Sequence, residues 1–377
     1  MRKLKVGMSI SLTGTYSVQG RESFEGVSLW VSDVNKEGGI FVKESGRKIP
    51  VELVFLDDES SSDKCRSNTE RLIGEENADI LLGPYSSSLA LASAEVAQEK
   101  DVTLWNHGGS TDDMEERGFT CLVNAITPAG RYAEGIIKLV RTEDPAAGKI
   151  AAFSASDSGF SRNVARGARN CGRENGFLVR EFTFASGCED FSRLLDEALD
   201  SSPDLILGMG RAHDDIALAR QFIERKTNVN AAAFIAASIK LFRDTFGGNA
   251  EGFLSSSQWE SGIRITPDAG PSPEEFTRRF KEAYGKWPDY TAAQGYNIGL
   301  IVSKCIEDTG ALDDKALREN ARLQKLTTFY GQFGTDESGF QTAHEMVVVQ
   351  WQGGKKVIVS PERFSEARFI YPMRPAR

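Results

Sequence analysis

Histidine is scarce and cysteine is scattered in this chain. Its 377 residues hold three histidines (His107, His213, His344) and five cysteines (Cys65, Cys121, Cys171, Cys188, Cys305), with no CxxC pair. A metal site needs clustered ligands, so none is expected, and His344-Glu345 lacks the second histidine of a zinc helix. The cysteines read as small buried hydrophobes; if two of them join, Cys171 and Cys188 are the pair. No Lys/Arg run exceeds a pair, and a formal charge of -9 with a pI near 5.2 leaves no basic stripe for nucleic acid. No apolar stretch reaches the roughly 18–20 residues that cross a bilayer. A phosphate loop of the GxxxxGK[ST] type and a GxSxG elbow are both missing. Gly208-Met209-Gly210 follows a strand but lacks the third glycine of a dinucleotide fingerprint. The residues therefore suggest neither an enzyme nor a cofactor.

What is present is a soluble composition, 40% hydrophobic and 26% charged, at a length that suits two domains. Strand and helix signals alternate strictly. The stretch 4–10 alternates, and 21–35 places Phe24, Val27, Trp30, Val31 and Val34 at helical spacing. A strand at 51–56, a helix at about 63–77, a strand at 79–83, a helix at 88–99 and a strand at 102–105 follow. The pattern restarts with a helix at 130–142 and strands at 149–154, 178–184, 204–208 and 232–237, separated by helices at 160–175, 190–199 and 214–225. Alternation of this kind predicts parallel sheets covered on both faces. Helices at 273–285, 292–308 and 313–325 have no strands between them and are expected to return to the first sheet. Strands at 346–351 and 356–359 end the chain.

The expected architecture is α/β: two doubly wound three-layer lobes joined by a three-crossing hinge. Lobe 1 takes 1–125 and 260–327, and lobe 2 takes 128–255 and 333–377. The crossings are placed near Asn124–Pro128, Ser255–Glu260 and Thr328–Gly334.

Ligands of open α/β sheets sit beyond the carboxyl ends of the strands, against helix N-termini. There the chain concentrates hydroxyls and glycines. Gly83-Pro84-Tyr85-Ser86-Ser87-Ser88 opens a helix, and Asn106-His107-Gly108-Gly109-Ser110-Thr111 follows the next strand. Taken singly, such serines are helix caps. Taken together, they form a cradle of hydroxyls and backbone N–H groups suited to a carboxylate.

These pieces, with Leu12-Thr13-Gly14, Asp33-Val34-Asn35-Lys36-Glu37-Gly38-Gly39-Ile40, Asp57-Asp58 and Asp157-Ser158-Gly159-Phe160-Ser161, occur in an order spanning essentially the whole chain. In that order the sequence resembles the type I periplasmic solute-binding proteins, in the leucine/isoleucine/valine (amino acid/amide) receptor branch of ABC transporters. The resemblance implies capture of a small carboxylate-bearing metabolite (amino acid, amide or organic acid) between closing lobes, for an inner-membrane ABC permease. Met1-Arg2-Lys3 runs straight into the first strand, which leaves either a cytoplasmic protein or one whose leader has been removed; the resemblance implies the second, with a periplasmic location. A ligand-sensing domain of a signalling protein on the same fold is the alternative.

Carried over residue by residue, the resemblance puts Gln19 over the ligand. Ser86, with Ser87 beside it, and Ser110 grip the carboxylate, with Gly108 and Gly109 offering backbone groups. Phe160 closes from the second lobe. Tyr85 stands where the family has a disulfide cysteine. Two departures follow. Ala236-Ala237-Ser238 replaces the acid that holds a ligand ammonium, with Asp214 as a nearby substitute, and Arg211 replaces a tyrosine. Arg211 either faces the ligand or pairs with Asp214 or Asp215. Trp105 and His107 either line the first-lobe wall or finish a core strand, and Tyr290 is a rim candidate.

Overall fold

The alternation at the amino terminus produces a strand, Leu4–Ile10 (β1), in which Leu4, Val6, Met8 and Ile10 are fully buried. In the computed structural model, which describes residues 2–226 and 229–373, β1 is followed by helix Ser17–Lys36 (α1), strand Val51–Asp57 (β2), helix Ser62–Gly74 (α2), strand Ile80–Leu82 (β3), helix Ser87–Lys100 (α3) and strands Leu104–Asn106 (β4) and Leu122–Asn124 (β5). The five strands form one parallel sheet in the order β2-β1-β3-β4-β5. β3 and β4 are buried at every position, which accounts for the apolar run of β3 and leaves Asn106 the one polar residue of β4.

A second series follows: helix Glu134–Glu143 (α4), strand Lys149–Ala155 (β6), helix Gly159–Glu174 (α5), strand Leu178–Phe184 (β7), helix Ser192–Leu199 (α6), strand Leu205–Met209 (β8), helix Ala212–Glu224 (α7), and strands Ala231–Phe234 (β9) and Leu254–Ser257 (β10). Helices Pro273–Tyr284 (α8), Tyr290–Thr309 (α9) and Asp314–Leu323 (α10) come next, then strands Val347–Gln352 (β11) and Lys355–Ser360 (β12). The second sheet runs β12-β11-β10-β9-β8-β6-β7, parallel except where β11 meets β10 and β12. Side chains of β6 alternate between its faces: Ile150 and Ala152 join one buried cluster, and Ala151, Phe153 and Ala155 the other.

The described residues divide into two units. One runs to Pro128 and includes Arg264–Glu345; the other is Ala129–Ile263 with the stretch from Met346 onward. The ends of the expected lobes, at 1 and 374–377, lie outside the described residues. The third crossing falls at Glu345/Met346, not at Thr328–Gly334. The reason is a set of bonds that hold 331–345 in the first unit. Asn124 N–H donates to Gly339 O (2.8 Å), the Gln341 amide to Ala125 O (3.4 Å), and Thr127 Oγ1 lies 2.6 Å from His344 Nδ1. A Cys171–Cys188 disulfide is not formed: all five cysteines are free thiols. Cys171 belongs to the cluster on one face of the second sheet and Cys188 packs against the other.

Helices α1 and α9 cross through small residues, which is how the returning segment rejoins the first sheet. A Cβ on Gly26 would stand 2.0 Å from Ala292 O, one on Gly295 2.3 Å from Ser23 O, and one on Gly299 2.1 Å from the Trp30 ring. Hydrogen at these positions lets the two backbones approach.

Beneath this crossing, Trp105 and His107 both finish the core strand: each is 0% exposed, and His107 Nε2 lies 2.7 Å from Ser23 Oγ of α1. Of the two places left open for His107, wall or core, it takes the core, just beyond the strand's end and against α1. Burial pushes its pKa down from 6.5 to about 3.

Two outcomes are expected. Gly26→Ala should cost about 1–3 kcal/mol in urea denaturation, since a methyl group is forced against backbone. Gly74→Ala, with nothing within 4 Å of the new Cβ, should cost nothing measurable. Equal stability of the two variants would mean that α1 and α9 are not in close contact. For His107 the neutral form is favoured in the native state. Its contribution to stability is complete above pH 6.5 and is lost as pH falls towards 3. The stability difference between the wild type and His107→Gln should therefore shrink on going from pH 7 to pH 4, by up to about 1.4 kcal/mol per unit. A difference independent of pH would contradict the buried neutral imidazole.

Candidate functional site

The carboxyl ends of the first sheet are organised by side chains that cap strand ends. Asp58 is fully buried and accepts from Ser9 Oγ (3.2 Å), Ser11 Oγ and Ser60 N (2.9 Å), while Asp57 accepts from Leu12 N and Thr13 Oγ1 (3.0 and 2.8 Å). The Asp57-Asp58 pair thus fixes the turn that leads into α1. Gln19 sits half-buried in the first turn of that helix.

The loop after β4 is folded by Asn106. Its Oδ1 accepts from the N–H groups of Gly108 (3.3 Å) and Gly109 (3.0 Å), and its Nδ2 donates to Gly109 O (2.6 Å) and to Asn124 Oδ1 at the end of β5. Gly108 and Gly109 therefore do not offer their N–H groups to a ligand, because Asn106 already holds them. Their glycine character serves close packing instead. A Cβ on Gly108 would lie 2.4 Å from Pro84 O, and one on Gly109 2.1 Å from Ala90 Cβ.

That packing joins the two serine loops. Ser86 N–H donates to Gly108 O (3.1 Å), and Ser86 adopts φ 90°, ψ 146°, a conformation costly for a residue with a side chain. Ser86 also caps α3, accepting from Leu89 N at 3.4 Å, and its Oγ is 3.3 Å from Ser88 Oγ. Ser86 and Ser110 each keep 8% exposure, and among the described residues the Ser110 hydroxyl has no partner. Ser87, the first residue of α3, is partly exposed. Beside this pair stand three tyrosines: Tyr85 OH lies 3.1 Å from Tyr290 OH, and the Tyr85 ring meets Tyr16 edge-on at 6.3 Å.

The second unit closes its strand ends by the same means. Ser161 Oγ accepts from Ala155 N (2.7 Å) and donates to Met209 O, joining β6 to β8. Phe160, half-buried in the first turn of α5, meets Tyr132 edge-on at 5.4 Å. Asp214 and Asp215 are fully buried. Asp214 accepts from Gly187 N (2.7 Å) and Arg211 N (3.0 Å), and His213 Nε2 lies 3.0 Å from its Oδ1. It is consequently no substitute receptor for a ligand ammonium. Asp215 accepts from Gly210 N (2.8 Å) and Ala236 N (3.0 Å). Neither carboxylate pairs with the Arg211 guanidinium, which is partly exposed at the start of α7 and has no ion-pair partner among the described residues. The turn Ile235–Ser238 carries no acid. Ser238 is 4% exposed, its hydroxyl donates to Ile235 O (3.0 Å), and its carbonyl accepts from Lys356, itself 2.8 Å from Glu260.

The sequence names Asn106 and Ser161 only within their motifs and Asp215 only as a possible partner of Arg211; it assigns none of them the loop-holding role seen here. The available signal was an Asn or Ser at a strand's end or helix's start, and that signal marks turns in general.

The family model described as periplasmic binding protein matches residues 3–356. A Leu/Ile/Val-binding protein homolog 7 of Brucella suis is 23% identical over 95% of this chain and 92% of its own length. The crystal structure of the leucine-binding protein LivK of Thermotoga maritima superimposes with a TM-score of 0.80 at 22% identity, covering 94% of this chain and 97% of that one. A solute-binding protein of R. palustris in complex with benzoate gives 0.76 at 19% identity, covering 95% and 96%. No helix among the described residues is long and apolar enough to cross a membrane. With a family model matched over residues 3–356 and two α/β units to accompany it, the chain belongs to the periplasmic binding protein family.

Proposed function

We propose that this protein is the periplasmic substrate-binding component of an ABC uptake transporter, capturing a small carboxylate-bearing metabolite with groups from both units and passing it to an inner-membrane permease. The observation that carries the reading is the hydroxyl pair of Ser86 and Ser110, set at the ends of two adjacent strands and tied together through the Ser86 N–Gly108 O bond. Two hydroxyl donors beside a helix N-terminus favour an anion. The tyrosines next to them supply apolar faces for the rest of the ligand.

The ligand is one without a free ammonium group, or one that presents an additional anionic or carbonyl oxygen. Asp214 and Asp215 are closed off by backbone N–H groups, and the 235–238 turn offers no acid, whereas Arg211 presents a guanidinium. Such a group grips a carboxylate or carbonyl in bidentate fashion. The similarity to a leucine-binding protein and to a benzoate complex is compatible with either an amino or a non-amino acid. The residues of the second unit favour the latter.

A thermal-shift screen over leucine, isoleucine, benzoate, amides and small organic acids, followed by calorimetry, tests this. A hydrogen bond to a charged acceptor contributes about 1.5–3 kcal/mol. Ser110→Ala and Ser86→Ala are each expected to weaken the tightest ligand about tenfold or more, with the fold intact. Unchanged affinity in both would displace the cradle. Arg211→Ala should lose about 2–5 kcal/mol, as when one member of a buried charged pair is removed. Affinity equal to the parent's, or leucine as the tightest ligand, would remove Arg211 from the site.

A further inference from the structure

We propose that Asp215 is the positioning residue of the second unit's binding face: one buried carboxylate holds the loop 209–211 and the turn 235–238 in fixed register, and so aims Arg211 and places Ser238. The role rests on the capture function proposed above, although the clamp itself can be tested without a ligand.

The geometry is specific. Asp215 lies in the first turn of α7 with no exposed surface, and its two oxygens go to two different strand-end loops, Oδ1 to Gly210 N at 2.8 Å and Oδ2 to Ala236 N at 3.0 Å. These are the residues after β8 and β9, neighbouring strands of the sheet. The N–H of Gly210 immediately precedes Arg211, and Ala236 lies two residues before Ser238. The surroundings leave the carboxylate little room: a Cβ on Gly208 would lie 3.2 Å from Oδ1, and one on Gly210 3.1 Å from it. Asp214 fixes the other side of the same loop, through Arg211 N and through Gly187 N in the connection after β7. A carboxylate is suited to this place because it accepts through both oxygens, whereas an amide presents one acceptor and one donor. Asparagine in its place would set an N–H₂ against one of the two backbone N–H groups.

No cation pairs with Asp215 among the described residues, so burial and the neighbouring Asp214 act against its charge, and the backbone N–H groups of Ala236, Gly210 and Ile235 act for it. The balance raises its pKa from 3.8 to about 7. The charged groups near it are Asp214 and His213 on α7 and Arg211 at the helix start, with Lys356 bonded to the far end of the 235–238 turn. The strand ends contribute only Gly208 and Phe234. Protonation removes one acceptor, so the clamp is complete above this pKa and loosens below it.

The test is a pH titration of the ¹⁵N-labelled full chain without ligand, followed at the Gly210 and Ala236 amides and repeated in His213→Gln to remove the histidine on Asp214. Both amides are expected to move through one shared midpoint near 7, and Gly187, bound to Asp214, is expected not to follow. In Asp215→Asn that midpoint should vanish and amide exchange at Gly210 and Ala236 should accelerate at least about tenfold. Separate midpoints, or a shared one in the ordinary carboxylate range near 4, would overturn the clamp; the wild-type titration decides this even if the variant does not fold. For the link to binding, calorimetry with benzoate and L-leucine compares the wild type with Asp215→Asn at pH 8. Whichever probe binds the wild type should bind the variant at least about tenfold more weakly, and equal affinity would overturn the positioning role. Failure of both probes to bind the wild type counts against the capture reading alone, since the titration judges the clamp separately.

Discussion

The strand-end loops of the first unit depend on the carboxamide of Asn106. With no exposed surface, it accepts the Gly108 and Gly109 N–H groups, donates to Gly109 O, and reaches Asn124 at the end of the neighbouring strand. A buried amide left with an unpaired donor or acceptor costs roughly 1–3 kcal/mol, so its bonds fix the loop in one conformation. That conformation carries Gly108 O to Ser86 N and leaves the Ser110 hydroxyl at the surface of the loop. The strained backbone of Ser86 is retained because both of its neighbours are held elsewhere: Tyr85 by Tyr290, and the start of α3 by the helix itself.

The second unit solves the same problem with acids. Asp214 and Asp215 bond to backbone N–H groups of three strand-end connections. Both units thus use buried polar side chains to shape the loops at their strand ends. Few, rigidly held polar groups orient a ligand at a small entropic cost.

Much of the fold was legible because the strands are buried in the manner their sequences declare. Strand 178–184 and helix 273–285 were placed within a residue of their observed limits, since alternation and the Ser272-Pro273 start leave little choice. β5 and β10 were not foreseen. Leu122-Val123-Asn124 is too short to show a period, and Leu254-Ser255-Ser256-Ser257 is buried by its neighbours β9 and β11 despite carrying three hydroxyls. The loops at the strand ends were legible as concentrations of hydroxyls and glycines. Side-chain directions were not legible: Asn106 claims the glycine N–H groups, His107 turns inward to Ser23 of α1, and Asp214 is buried against backbone N–H groups. Such facts depend on contacts between segments distant in sequence.

A crystal structure of the complex with the tightest ligand of the screen tests the account most directly. The account requires ligand carboxylate oxygens within about 2.6–3.0 Å of both Ser86 Oγ and Ser110 Oγ, with the Gly108 and Gly109 N–H groups still on Asn106 Oδ1. A carboxylate lying away from both hydroxyls, or one that has drawn the glycine N–H groups off Asn106, would contradict it.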